Sequence, residues 1–381
     1  MLRRLVRLLV VLVAVVVTLA LCVFIIFGGG RRLEDRTTTP TLPGSTLERV
    51  VDLDYPPGNV AVSRTGRVFF TLHPDGRPPV QVVELKNGEI FPYPNEAFQK
   101  TVDGQLSFQT VLSMRIDRQD RLWVLDFANF GIGQPRILAF DLGTDKLIHQ
   151  YDFPRSIAGY GSMLNDFQVG PDGQMIYIAE ASPILHTPAI IVYDTIKKTS
   201  RRLLHRDWSV TAKDYVIQAP GRDMVLFGIY TMRIGIDSIG LDTRGEWLYY
   251  GPVSGDRMYR IRTADLNDAT LAADALARRV EDYGPKTLSD GITIDAADNV
   301  YLSDMEHSAI LTLNPERQLT TLLEDPRLRW PDGFSFGPDG WLYVTCSSLQ
   351  HVLFVPHSRM VENAPYQIFR FQPGTSGFPG H

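Results

Sequence analysis

Six copies of one hairpin pattern constrain this chain more than any other feature. Each copy has a short alternating strand, a four-residue polar turn usually carrying Gly or Asp, and a second strand rich in aromatic and aliphatic residues. They read GNVAVSRTGRVFFTL from Gly58, LSMRIDRQDRLWVLD from Leu112 and NDFQVGPDGQMIYIAE from Asn165. The others read DSIGLDTRGEWLYYG from Asp237, DGITIDAADNVYLSD from Asp290 and DGFSFGPDGWLYVTC from Asp332. Alternation followed by a tight turn is the signature of a β-hairpin. Pro171-Asp172-Gly173 and Pro338-Asp339-Gly340 suit such turns, since Pro presets φ and Gly accepts positive φ. The copies start roughly 40 to 70 residues apart, room for four strands each, which is the size of a propeller blade.

Further strands are expected at Val80–Leu85, Ile137–Asp141, Ile190–Asp194, Arg257–Ile261, Ile310–Leu313 and Val352–Val355. The fold class is therefore all-β, a six-bladed β-propeller over residues 46–381, rather than two stacked sandwiches. A closed ring needs no exposed sheet edge, and Thr46–Asp52 is apolar enough to complete the last blade. Arg201–Arg233 reads as a long loop over one face, and the Ala-rich Asp265–Asp282 as an insertion with a short helix.

Before the repeats, Arg3, Arg4 and Arg7 precede an apolar run from Leu8 to Phe27 that ends at Gly28-Gly29-Gly30. About 20 apolar residues cross a bilayer as a helix, and leading arginines favour a cytoplasmic N-terminus. Residues 1–30 are expected to form an uncleaved transmembrane anchor, because a secretory signal usually has a shorter apolar region and a small-residue cleavage site. Residues 31–45, rich in Thr, Pro, Arg and acids, read as a flexible stalk. The propeller would then lie on the periplasmic or extracellular side, anchored to the cytoplasmic membrane. Only Cys22 and Cys346 occur, too far apart in character to form a disulfide framework. A net charge of −5 with no basic run leaves no footprint for nucleic acid. No phosphate loop, dinucleotide fingerprint or nucleophile elbow occurs, and His73, His186, His307 and His351 lack metal-type spacing.

Aligning the copies superposes the leading residue of each inner strand: Gly58, Leu112, Asn165, Asp237, Asp290 and Asp332. Inner strands surround the axis of a propeller, so one amide and three carboxylates are expected to meet at one channel mouth. Crowded carboxylates must take up protons or gather a cation. Oxygen-only ligands suit Ca²⁺ above other divalent ions, so Asn165, Asp237, Asp290 and Asp332 are the candidate metal ligands. The competing reading of each Asp is a turn-capping residue. Asp126, Glu180 and Asp304 end the second strands on the same face; Glu180 and Asp304 are the candidate bases, with backbone-bonded turn acids as the plainer role. Arg115 and Asp166 are candidate ligand-binding residues; Arg115, inside an inner strand, must pair with an acid or reach a ligand anion.

Val111–Asp126, Arg136–Asp141, Leu164–Glu180, Ile190–Asp194, Gly235–Leu241 and Trp330–Thr345 resemble the major royal jelly/Yellow protein family. The resemblance implies a six-bladed propeller, and for insect members secretion, dopachrome conversion or capture of small amines at the channel mouth. Two departures stand out: no disulfide can form, and Asp237 takes a place expected to be apolar. The latter brings the mouth closer to the regucalcin/gluconolactonase-type propellers, in which Glu, Asn and Asp hold a divalent ion. Asn165 and Asp332 lie in hairpins similar to theirs, whereas Gly58 offers no counterpart to their first-blade Glu. Four functions follow as expectations: a metal-dependent hydrolase of lactone type, a non-catalytic binder of a small amine or cation, a tautomerase on quinonoid substrates, and a scaffold for a protein partner of unidentified kind.

Overall fold

A computed structural model describes residues 2–100 and 104–380. Six four-stranded antiparallel sheets stand around one axis, and their inner strands neighbour one another in ring order. The inner strands are Pro57–Val62, Val111–Ile116, Leu164–Val169, Ile236–Leu241, Ile292–Ile294 and Pro331–Phe336. They carry the six repeats, so the repeat reading and the architecture agree. Each is buried along its length except for Leu241 and Asp332, which are partly covered, because it packs between two neighbouring blades. Hydroxyls pin one blade to the next at this radius: Thr345 Oγ1 donates to the Gly58 carbonyl at 2.6 Å, and Thr71 Oγ1 to that of Leu112 at 2.7 Å.

The ring closes where the sequence suggested. Glu48–Leu53 is the outer strand of the last blade, antiparallel to Tyr366–Phe371. Closure by the N-terminal strand leaves no blade one strand short. Two expectations need correction. Val352–Val355 is not a strand; it follows a 3₁₀ turn at Leu349–His351 with Val352 buried, and the third strand of that blade is Tyr366–Phe371. Pro356 and Pro365 bracket the intervening helix His357–Glu362, which postpones the strand.

The second correction concerns residues 31–45, which do not stand free as a flexible stalk. Arg31 exchanges backbone hydrogen bonds with Asp214 and Val216, and Arg36 donates to the carbonyls of Asp256 and Lys286 at 2.7 and 2.6 Å. Thr41 and Leu42 then bond to Thr321 and Leu322 on the rim of the fifth blade. The Arg36 side chain finds its partners on the propeller, while those of Arg31, Arg32, Glu34 and Thr39 stay exposed.

All inner strands begin on one face, here called the upper face. The connections from second to third strand, and from each blade to the next, lie there; the other turns lie on the lower face. Between the third and fourth blades, residues 204–235 form two small hairpins, Gln218–Ala219 with Arg222–Asp223 and Val225–Leu226 with Tyr230–Thr231. Tyr215, Ile217, Met224 and Met232 pack against Val253, Leu288, Met305, Trp330 and Val352, so this insertion roofs the upper mouth. The long interval in the sequence is thus a lid over one face, as expected. On the lower face, Gly380 bonds to Phe336 and Ile116, and the C-terminal tail covers the opposite mouth. The Ala-rich insertion holds two short helices, Thr263–Asn267 and Ala273–Ala277.

The N-terminal helix spans Leu2–Phe27 and is long and apolar enough to cross a membrane.

Candidate functional site

In a regular strand successive side chains alternate faces, so only one of two neighbours can reach the axis. Here a register shift falls at the head of five inner strands, between Leu164 and Phe167 and between Ile236 and Ser238 among them. Such a bulge bends the strand and re-aims its side chains. Asn165 and Asp166 therefore both find partners around the axis: the Asn165 amide donates to Asp237, and Asp166 meets residues of the first two blades. In the fifth and sixth blades the Asp-Gly pairs serve the same crowding. A Cβ on Gly291 would lie 1.7 Å from the Asp332 carbonyl, and one on Gly333 2.8 Å from Asn59 Cα. These glycines are there for close approach of inner strands.

One side of the ring is electrostatically closed. Arg115 is 1% exposed; it donates to Asn59 Oδ1, to the Met114 carbonyl at 3.0 Å and to Asp166 Oδ2 at 3.3 Å. Asn59 Nδ2 and Ser113 Oγ donate to the other Asp166 oxygen at 2.8 and 2.9 Å. Arg115 Nε is buried with no hydrogen-bond partner. Burial still holds the Asp166 carboxyl above its ordinary range, against the pull of Arg115.

The other side carries three carboxyl groups, Asp237, Asp290 and Asp332, crowded together. Asp237 and Asp290 are buried and Asp332 half-buried, and among the described residues no cation stands in ion-pair contact with any of them. Asp290 Oδ2 accepts from Trp330 Nε1 at 2.6 Å. Burial pushes the Asp290 carboxyl up to about 6. Burial and then the charges of Asp290 and Asp166 push Asp237 and Asp332 well above the carboxylate range. Lys286, also buried, lies close enough to favour Asp290 ionisation; its own ammonium is pushed down to about 7 by desolvation, and it donates to the Thr287 carbonyl at 2.8 Å.

The all-oxygen donor set has the chemistry of a Ca²⁺ site. The arrangement does not: among the described residues no three His, Cys, Asp or Glu side chains are gathered around one point that an ion could occupy. The four expected ligands instead spread around the axis, each engaged with a neighbour.

The candidate bases lie at the ends of second strands on the upper face, as expected, and hold loops. Glu180 pairs with Arg202 and accepts from Ser162 Oγ at 3.2 Å; burial raises its pKa against Arg202. Asp304 accepts from the backbone of Glu306 and His307 and from His307 Nδ1 at 2.9 Å, which lifts His307 to about 9. Asp126 accepts three backbone N–H groups, from Gln109, Thr110 and Ala128. The contacts of Asp126 and Asp304 are those of backbone-bonded turn acids, whereas Glu180 is held in an ion pair. Gln168, the other polar inner-strand residue, donates to the Ile239 carbonyl at 3.0 Å.

Sequence reasoning missed Asn59 and Trp330. Asn59 was within reach, since it occupies the same repeat position as Asp166, one place after the leading residue. Trp330 precedes its repeat and carries no register signal.

The model of a family described as major royal jelly protein matches residues 109–353. Major royal jelly protein 1 of Apis mellifera is 28% identical over 218 residues, which are 52% of this chain and 48% of that protein. Protein yellow of Drosophila subobscura is 25% identical over 252 residues, 58% of this chain and 42% of that protein. The chain thus spans less than half the length of these curated relatives. Among solved structures, a calcium-binding regucalcin of Agrobacterium tumefaciens superposes with a TM-score of 0.54 at 13% identity, covering 90% of this chain and 98% of that one. A gluconolactonase of Xanthomonas campestris gives 0.52 at 12% identity, covering 85% and 88%. Likeness at these identities establishes the propeller fold alone.

Proposed function

The chain belongs to the major royal jelly protein family, and from that premise we propose that it is a membrane-anchored, extracytoplasmic propeller that captures a small organic cation, such as an amine, on its axis. The observation that carries this reading is the imbalance of the ring: Asp237, Asp290 and Asp332 face the axis without a cation in contact, while Asp166 has Arg115 built in. A buried carboxylate cluster is relieved by an incoming positive charge. Carboxylates spread around an axis suit an ammonium with donors in several directions better than a single ion, which needs its ligands at one point. Arg115 Nε, buried without an acceptor, offers a second anchor for a hydroxyl or carbonyl on the same molecule. Asp332 is the least covered of the acids and marks the way in, under a roof whose Met224 and Met232 can repack. The helix Leu2–Phe27, with Arg3, Arg4 and Arg7 in its first turns, supplies the anchor.

Calorimetric titration of the full chain with phenethylamine tests the reading. Binding of one equivalent, lost in Asp237→Asn, supports it; no binding by phenethylamine or by simple alkylamines sinks it. A second reading, a Ca²⁺-dependent hydrolase of lactone type, draws on the all-oxygen donor set and on the gluconolactonase and regucalcin likeness. It has Asn165, Asp237, Asp290 and Asp332 as ligands and requires them to close in; stabilisation by Ca²⁺ in place of the amine would favour it. The loop-holding contacts of Glu180 and Asp304 weigh against either acting as base.

A further inference from the structure

The N-terminal helix does not leave the propeller at random. Phe27 stacks on His186 with ring centroids 5.5 Å apart and leans on Tyr230 at the same distance. Arg233 donates to the carbonyls of Phe27, Gly28 and Gly29, capping the helix C-terminus, and Thr231 Oγ1 donates to Gly29 at 2.6 Å. His186, Thr231, Tyr230 and Arg233 all belong to upper-face connections, so the helix is clamped to the roof.

Exposed bulky apolar side chains gather on that same face. Ile184 and Leu185 precede His186 in the connection within the third blade, and Phe227, 90% exposed, tips the roof hairpin that carries Tyr230. Trp208 and Tyr160 stand on the blade-to-blade connections either side of the third blade, and Phe354 on the long connection of the last. A cation accompanies each of the two polar aromatics: Arg155 lies 5.0 Å from the Tyr160 ring and Lys213 5.8 Å from that of Trp208. The remaining exposed apolar residues of the propeller do not weaken the pattern. Ile132 and Val361 are also on upper-face connections, Ile90, Phe91 and Ile148 on outer strands, and Ile196 on a lower-face turn.

We propose that the upper face of the propeller lies on the lipid bilayer that holds the helix, with Ile184, Leu185, Trp208 and Phe227 inserted at the headgroup–acyl boundary. The inference rests on the helix being a membrane span. Bulky apolar side chains exposed beside the exit of a span are the residues a bilayer surface would cover. Trp and Tyr with basic neighbours are the composition of that boundary. The short clamp at Gly28–Gly30 keeps this face next to the membrane, where a long free stalk would not. The roofed mouth of the channel then opens toward the lipid surface, and a ligand arrives from there rather than from bulk solvent.

The test uses the full chain in Cys22→Ser background, reconstituted in vesicles of phosphatidylethanolamine and phosphatidylglycerol. Cys346 is buried and stays unlabelled. An environment-sensitive fluorophore is placed at Phe227→Cys or, as the lower-face control, at Ile196→Cys; both side chains are exposed, so folding is not at stake. The expected result is a blue-shifted label at 227 whose quenching by aqueous iodide is severalfold weaker than at 196, and which acyl-chain spin-labelled lipid quenches. Equal iodide access at the two positions overturns the proposal. Protection at 227 that appears only at high protein-to-lipid ratio assigns the patch to a second copy of the chain and overturns it too. A chain extracted from vesicles by alkaline carbonate overturns the anchor reading itself, a separately visible failure.

Discussion

Replacing Arg115 by Met removes the cation paired with Asp166 while keeping most of its volume. Asp166, 5% exposed, then loses its counter-charge, and Asn59 Oδ1 and Asp166 Oδ2 each lose a donor. Breaking a buried ion pair from one side costs about 3–5 kcal/mol, and a buried acceptor left unsatisfied costs about 1–3 kcal/mol; these overlap, so about 4 kcal/mol is expected at pH 7.5. Acid should shrink the penalty. Burial already raises the Asp166 carboxyl, and Arg115 is what opposes that rise. Without Arg115 the folded pKa climbs further above the unfolded value, so the folded variant takes up a proton that the unfolded chain does not. A raised pKa gives a stability term present below the unfolded value and lost as pH rises through the folded one. The gap between Arg115→Met and the parent should therefore narrow steadily toward pH 4. The double variant Arg115→Met/Asp166→Asn should recover about 2–3 kcal/mol relative to additivity. Denaturant unfolding, followed by the buried Trp123 and Trp330, measures all three. A single-variant cost below about 1 kcal/mol, or a cost unchanged by pH and by Asp166→Asn, would refute the view that Arg115 neutralises Asp166.

Asp290→Asn should act in the opposite direction. Its carboxyl is lifted from 3.8 to about 6, so the parent loses on the order of 3 kcal/mol as pH rises from about 4 through 6. The variant should lack that slope and be the more stable protein at pH 7.5, read by unfolding at several pH values; an unchanged slope would remove Asp290 from the titrating ring. At the closure strand, Leu53→Ala should cost about 2–5 kcal/mol, whereas Ile148→Ala on the exposed outer strand of the second blade should stay within about 0.5 kcal/mol. Equal costs in the same unfolding assay would mean that the N-terminal strand does not lock the ring.

The hairpins were legible because two local signals, period-two alternation and turn chemistry, agree six times over, and the closing strand because a ring cannot leave an edge. The leading residues were legible because repeats superpose equivalent positions. Asn59 was not read, although Asp166 occupies the same place, since ideal pleating permits one axial residue per strand and the bulges that admit two leave no mark in composition. Residues 31–45 look solvated by composition, yet Arg36 and Thr38 spend their polar groups on Asp256, Lys286 and Thr321. Composition reports polarity, not the identity of the partner. Val352–Val355 has strand-like residues, but Val352 is used beneath the roof and Phe354 is exposed, a tertiary demand that no local pattern displays.

The axial ring is hard to explain as a device for stability. Hydrophobic residues of similar volume would avoid the desolvation that lifts Asp237, Asp290 and Asp332, and at neutral pH each of these acids opposes folding to the extent that it ionises. The structure nevertheless holds them in place: the bulge in the third blade lets Asn165 and Asp166 both find partners in the ring, Gly291 and Gly333 clear the space, and Trp330 orients one carboxylate. Groups that cost stability and are still held in place by their surroundings are the pattern of a functional site. Capping both mouths strengthens the case. Under a roof and above a tail, the carboxyl groups are shielded from water, and a cation admitted there gains far more than it would at an open surface. The same enclosure makes entry, not affinity, the step on which the roof and the face that carries it must act.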